Sequence, residues 1–299
     1  MSGVALHALP DGAHDARRLA ARLGLPYQDI ALHRFPDGEI RVTTGPAAMT
    51  TIVYASLDRP NDKLIALLFA AEALRRNGAK RLVLLAPYLC YMRQDTAFHP
   101  GEAISQGAIG QLLARTVDRV ITVDAHLHRT PDIGAVFPGI EADNLSAVPA
   151  FAQALRASGF DPSTLVVGPD AESQNWVGDL AERLGLATAV AHKTRHGDRT
   201  VEIAGTVSPA GRPVLLIDDI VSSGGTLIAC AGALKAAGAR TIDVIITHAL
   251  YPPEMAAAFA AAGIGSVRSS FSVPHPTNAI RLDDIFAAAL EREIRGAAT

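Results

Sequence analysis

Val214-Leu215-Leu216-Ile217-Asp218-Asp219-Ile220-Val221-Ser222-Ser223-Gly224-Gly225-Thr226 decides how this chain is read. An apolar run closes on two adjacent carboxylates. Small residues follow, and then an alanine-rich stretch over 226–237 with the character of a helix. In open α/β sheets, ligands gather outside the carboxyl ends of the strands. Glycines let the backbone approach an anion, and the first N–H groups of a helix have no partner within it and carry the positive end of its dipole. Ser222, Ser223 and Thr226 add hydroxyl groups. The loop therefore suits a phosphate. Asp218 and Asp219 suit sugar hydroxyls, or a metal that the ligand carries. A serine-capped turn is the competing reading. It leaves unexplained why two acids close a buried strand, where charge needs a partner.

Working outward, short apolar runs alternate with alanine-rich segments. The pattern predicts strands at 51–54, 81–86, 119–123, 164–167, 214–217 and 241–247, and helices at 62–77, 103–116, 147–158, 174–184 and 226–237. Strand, helix, strand in this order implies parallel pairing through crossover helices, and so an α/β fold. Ala73-Leu74-Arg75-Arg76-Asn77-Gly78-Ala79-Lys80 is echoed by Ala233-Leu234-Lys235-Ala236-Ala237-Gly238-Ala239-Arg240. Upstream of each stands a strand followed by an acid, Asp58 in one case and the Asp218 pair in the other. The chain reads as two tandem copies of one unit, 1–143 and 144–299, joined through a Pro-, Gly- and Asp-rich stretch at 137–149.

Composition narrows the class. The 299 residues carry a net charge of −3 and 49% apolar residues, which argues for ordinary buried cores and against nucleic acid as the main partner. No uninterrupted apolar segment suggests a signal peptide or a membrane span. Cys90 and Cys230 are far apart, which fits a reducing cytoplasm. Only Lys63, Lys80, Lys193 and Lys235 supply ammonium groups, so a lysine in a polar loop carries weight.

The Asp218 segment resembles the phosphoribosyl-diphosphate loop of the type I phosphoribosyltransferase fold. Two such halves in tandem, one without the Gly-Thr loop at Asp58-Arg59-Pro60-Asn61-Asp62, resemble the ribose-phosphate diphosphokinase family, and the archaeal-type branch in particular. The resemblance runs from about Arg34 to the closing helix. It implies two phosphoribosyltransferase-like domains and a Mg²⁺-dependent transfer of diphosphate from ATP to ribose 5-phosphate, giving 5-phosphoribosyl 1-diphosphate and AMP. The Arg34-Phe35-Pro36-Asp37-Gly38-Glu39 hairpin is similar to the family's segment that contacts adenine across subunits. That implies roles for Phe35, Asp37 and Glu39 and at least a homodimer. Arg93-Gln94-Asp95 resembles the segment at the ATP site. His126 matches a histidine at the Mg²⁺–ATP complex, and Asp170 an acid on the metal and ribose side. Lys193 and Arg195 match the spacing of the family's catalytic loop. Asp218, Asp219, Ser222, Ser223, Gly224, Gly225 and Thr226 are the implied ribose 5-phosphate residues.

Two departures stand out. Ala171-Glu172-Ser173-Gln174 replaces a glycine-led continuation, and Ser222 stands where many relatives have Asp. Two alternatives follow from the same residues. One is a weak or regulatory paralogue of the enzyme, and the other is a phosphoribosyltransferase that attaches a base.

Overall fold

The computed structural model describes residues 3–296 apart from 197 and 206, and for residues 192–206 it describes the backbone path only. The chain forms two compact units. Unit 1 is Met1–Leu145 with Asp283–Thr299, and unit 2 is Ser146–Leu282.

Unit 1 comprises β1 (Val4–Ala8), α1 (Ala13–Leu23), β2 (Tyr27–Asp29), β3 (Ala31–Arg34), β4 (Ile40–Thr43), β5 (Thr50–Tyr54), α2 (Pro60–Arg76), β6 (Arg81–Ala86), α3 (Ser105–Ala114), β7 (Arg119–Val123) and β8 (Glu141–Leu145). Among the described residues these form a parallel six-stranded sheet, ordered β2-β1-β5-β6-β7-β8, and a separate β3–β4 hairpin. Every residue of β1 and β7 is buried. A strand covered on both faces reads as a continuous apolar run rather than an alternation. The stretch expected to be a linker, 137–149, contains β8. That strand reads Glu141-Ala142-Asp143-Asn144-Leu145 and sits at the sheet edge, where polar residues are tolerated and no apolar run announces a strand.

Unit 2 comprises α4 (Val148–Ser158), β9 (Leu165–Gly168), α5 (Gln174–Leu184), β10 (Ala187–His196), β11 (Asp198–Gly205), β12 (Pro213–Val221), α6 (Gly225–Ala236), β13 (Thr241–Ala249), α7 (Met255–Ala261), β14 (Ile264–Ser270) and β15 (Asn278–Ile280). The sheet order is β11-β10-β9-β12-β13-β14-β15, parallel except for the β10–β11 pair.

The internal echo in the sequence is a structural one. α2 and α6 end with the same three backbone bonds. Asn77, Gly78 and Ala79 N–H donate to Ala73, Arg75 and Leu74, and Ala237, Gly238 and Ala239 N–H donate to Ala233, Lys235 and Leu234. Gly78 and Gly238 have φ of 105° and 86°, which an L side chain rarely adopts.

The closing helix α8 (Asp283–Gly296) belongs to unit 1, not to the second half as the sequence order suggests. Glu293 explains why. It accepts from Arg81 Nε at 2.8 Å and from Arg119 Nη1 at 2.9 Å, and both strand residues lie in unit 1. Burial pushes the Glu293 carboxyl up, but the two guanidinium groups more than offset this and hold it below its ordinary range. Arg18 and Arg22 of α1 pair with Asp283 and Asp284.

Candidate functional site

The deciding stretch folds as a strand, a tight loop and a helix. β12 extends through both acids to Val221, further than the apolar run alone indicates, because Asp218, Ile220 and Val221 stay paired with Ile246, His248 and Ala249 of β13. The strand ends where Leu250 N–H bonds the Val221 carbonyl at 2.8 Å. Gly224 then takes φ 75° as the N-cap of α6, and its carbonyl accepts the first helical bond from Ile228. A Cβ at Gly224 would lie 2.6 Å from Phe259 Cε1. Glycine is therefore required there twice over, by conformation and by space. Ser222, Ser223 and Gly225 are exposed, and Thr226 is half-buried.

Asp218 is an unusual carboxyl. Burial pushes it well above the usual carboxylate range, and the negative charges of Asp219 and Asp170 push it further. Asp219 is 4% exposed. Asp170 follows β9, the neighbour of β12 in the sheet. The structure thus brings three of the expected acids together at one sheet end. The departure after Asp170 has a simple form: Asp170 Oδ1 accepts from Glu172 N–H at 3.1 Å and Ser173 N–H at 3.3 Å, capping a single turn into α5. Gly168 lets this turn close, since a Cβ there would lie 2.0 Å from Ser173 Oγ.

Lys193 and Arg195 have backbones in β10, opposite Val201 and Arg199 of β11. Their side chains lie outside the described residues.

In unit 1 the expected nucleotide residues sit on three linked loops. The β3–β4 hairpin closes through Phe35 N–H to Glu39 O at 2.8 Å. Asp37 Oδ1 accepts from Glu39 N–H at 3.1 Å, and Phe35 is exposed. Arg34 ties this hairpin to Asp62 of α2 at 2.5 Å. The neighbouring Asn61 accepts from the Tyr91 hydroxyl, which draws the segment bearing Arg93 and Gln94 to the same helix start. Arg93 is exposed, and Gln94 is half-buried. Asp95 is engaged structurally: its two oxygens accept from Arg129 Nη1 at 2.9 Å and Arg129 N–H at 3.1 Å, holding the loop after β7. His126 lies on that loop, its ring stacked 6.4 Å from that of His128.

The first-half counterpart of the Asp218 corner is closed. Asp58 is buried, and Lys63 Nζ donates to its Oδ1 at 2.6 Å, to Ser56 O at 3.0 Å, and pairs with Asp11 at 3.1 Å. One of the chain's few lysines thus fills this corner from within the protein.

Sequence reading missed several contributors. Gln106 is buried and bridges Met92 O and the Thr130 hydroxyl. Arg59, Tyr91 and Asp124 have φ of 45°, 63° and 38°, and each follows a strand of unit 1 at the same sheet end. Strained backbone of this kind clusters at working sites. The loops after these strands carry no composition signal that announces it.

Among the described residues, no group of three or more His, Cys, Asp or Glu side chains is arranged to hold a metal by itself. No helix of the described residues is long and apolar enough to cross a membrane.

Comparison with known proteins gives a consistent result. The family model for the N-terminal domain of ribose phosphate pyrophosphokinase matches residues 8–116, and the phosphoribosyl transferase domain model matches residues 143–258. A ribose-phosphate pyrophosphokinase of Methanopyrus kandleri is 31% identical over 287 residues, covering 95% of this chain and 97% of its own. Ribose-phosphate pyrophosphokinase 2 of Archaeoglobus fulgidus is 31% identical over 91% of this chain and 94% of its own. The crystal structure of phosphoribosylpyrophosphate synthetase from Mycobacterium smegmatis shares the fold, with a TM-score of 0.85 at 23% identity over 98% of this chain and 99% of that one.

Proposed function

The chain belongs to the ribose-phosphate pyrophosphokinase family, and from that premise we propose that it transfers the diphosphate of ATP to ribose 5-phosphate, with unit 2 holding the sugar phosphate and unit 1 the nucleotide. The anomeric hydroxyl oxygen bonds to the β-phosphorus of ATP and gives up its proton. The bond from that phosphorus to the oxygen bridging to the α-phosphorus breaks, and AMP leaves. Such a reaction needs in-line placement and relief of negative charge more than covalent chemistry.

The observation that carries this reading is the Asp218 corner. The loop at residues 222–226 presents hydroxyls and a helix start to the 5-phosphate. Asp218 and Asp219 orient the 2- and 3-hydroxyls. Phe35, Asp37 and Glu39 contact adenine, Arg93 holds phosphate oxygens, and Gln94 takes the adenosine part. Asp95 acts on ATP through its grip on Arg129 and the His126 loop. Lys193 and Arg195 stabilise the charge that develops on the transferring group and on the departing AMP oxygen.

A divalent cation fits the acids. The charges acting on Asp218 are those of Asp219 and Asp170, and a cation there would relieve both. Mg²⁺ prefers oxygen ligands and keeps water and substrate phosphates in its shell, which suits a set of acids that cannot complete a site alone. Asp170 would contribute to holding it, and His126 would meet a cation carried by the nucleotide through water or phosphate. When bound it would neutralise charge on the diphosphate. The exposed Phe35 hairpin suits a contact with a second copy of the chain, so the working form is a homo-oligomer.

An AMP-release assay with Mg²⁺, ATP and ribose 5-phosphate tests the activity, which should require all three. Lys193→Ala should lower kcat by about a hundredfold or more while ATP binding stays intact. Wild-type turnover in that variant would remove the catalytic assignment.

A further inference from the structure

Beneath the loop of residues 222–226 lies a line of side chains that the reaction does not use. Phe259 of α7, 2% exposed, occupies the space below Gly224. Tyr251 stands edge-on to it, with ring centroids 5.0 Å apart at 76°. The His275 ring follows, 4.5 Å from Tyr251.

The polar end of the line is fixed at both nitrogens. His275 Nδ1 accepts from Thr277 N–H at 3.3 Å and lies 2.7 Å from Thr277 Oγ1. With Nδ1 accepting, the ring proton is on Nε2, which donates to the Tyr251 carbonyl at 3.1 Å. The backbone adds a second route, because Leu250 N–H holds Val221 O, the last residue before the loop. The segment after β14 therefore reaches the loop through the Tyr251 ring, and the neighbouring Leu250 holds the strand end from which the loop leaves.

Ordinary core packing accounts for the burial of these rings. It does not account for a rigid ring pressed on the one loop residue in the left-handed region, or for a histidine whose tautomer is set by two partners. Gly224 is where the loop meets what lies under it, since a Cβ there would already overlap Phe259.

We propose that Phe259, Tyr251 and His275 are positioning residues for the sugar-phosphate loop. Phe259 fixes the height of the Gly224 peptide, Tyr251 fixes Phe259, and His275 fixes Tyr251. This rests on the reading of that loop as the ribose 5-phosphate site. None of the three touches substrate. Their effect falls on one substrate only.

The test combines steady-state AMP release, varying one substrate at saturation of the other, with calorimetric titration of ribose 5-phosphate in the presence of Mg²⁺. Phe259→Leu should raise KM for ribose 5-phosphate about tenfold and leave kcat and KM for ATP within about twofold. Phe259→Met serves the same purpose if the leucine variant does not fold. His275→Gln keeps one acceptor and one donor and should stay near wild type, whereas His275→Leu should raise the same KM several-fold. An unchanged KM for ribose 5-phosphate in the folded Phe259 variants, or an equal rise in KM for ATP, would overturn the proposal. So would a glutamine at 275 that does no better than leucine. If the wild type binds ribose 5-phosphate but releases no AMP, the proposed activity fails and the positioning is still judged by the binding constants. If the wild type binds none, both fail.

Discussion

The two acid corners of this molecule, one per unit, both lie where a strand of a parallel sheet leads into a helix, and they have opposite electrostatics. After β5, Asp58 meets Lys63, and the corner is neutralised from within. After β9 and within β12, Asp170, Asp218 and Asp219 meet one another, and Asp218 is driven above the carboxylate range by burial and by its neighbours. A buried ion pair that is complete asks for nothing more. A cluster of like charges asks for a ligand that brings positive charge or many donors. Duplicating a fold therefore does not duplicate a site. Lys63 closes one corner as an ion pair, while the acids of the other, beside a Gly-Thr loop, form the corner we propose holds the ligand.

The comparison can be broken or sharpened by mutation. The largest effect is expected at the open corner: Asp218→Asn should cut kcat/KM for ribose 5-phosphate by about a hundredfold or more, read by AMP release. Asp58→Asn, at the closed corner, should leave that ratio within a few-fold. Gly224→Ala comes next. The strained backbone and the overlap with Phe259 should raise KM for ribose 5-phosphate about tenfold and cost about 1–3 kcal/mol of stability, measured by urea denaturation. Lys63→Met should leave Asp58 buried without its cation and cost about 3 kcal/mol, seen in the same denaturation experiment, with substrate KM values unchanged.

The smallest effect is a pH slope. Asp218 has a folded pKa above its unfolded value, so its contribution to stability is fully present below the ordinary carboxylate range and is lost as pH rises through the folded pKa. Asp218 in the metal-free protein should therefore contribute a loss of stability as pH rises out of the ordinary carboxylate range, opposed by His7 and His275, whose burial lowers their pKa values. Asp218→Asn should flatten that slope, and thermal melts across pH will show whether it does.

Much of this architecture was legible in the chain. Strands such as Arg81–Ala86 and Arg119–Val123 are mostly apolar after their opening arginines because both faces are covered, and their bounds match the sequence pattern. The Gly-Ala helix stops at Gly78 and Gly238 disclosed the repeat because left-handed backbone favours glycine. The rest depended on partners distant in sequence. α8 joins unit 1 through Glu293 and two arginines more than 170 positions away, which no local window contains. Lys63 reads as an ordinary helix residue until Asp58 and Asp11 are seen around it. Phe259 reads as core until Gly224 is seen above it.

The contrast between the corners meets its most direct test in calorimetric titration of ribose 5-phosphate, with Mg²⁺ present, into the wild type, Asp218→Asn and Asp58→Asn. One sugar-phosphate site per chain is predicted for the wild type and for Asp58→Asn, with binding abolished in Asp218→Asn. Retained binding in Asp218→Asn, or its loss in a folded Asp58→Asn protein, would contradict the assignment of the open corner as the place where the pentose is held.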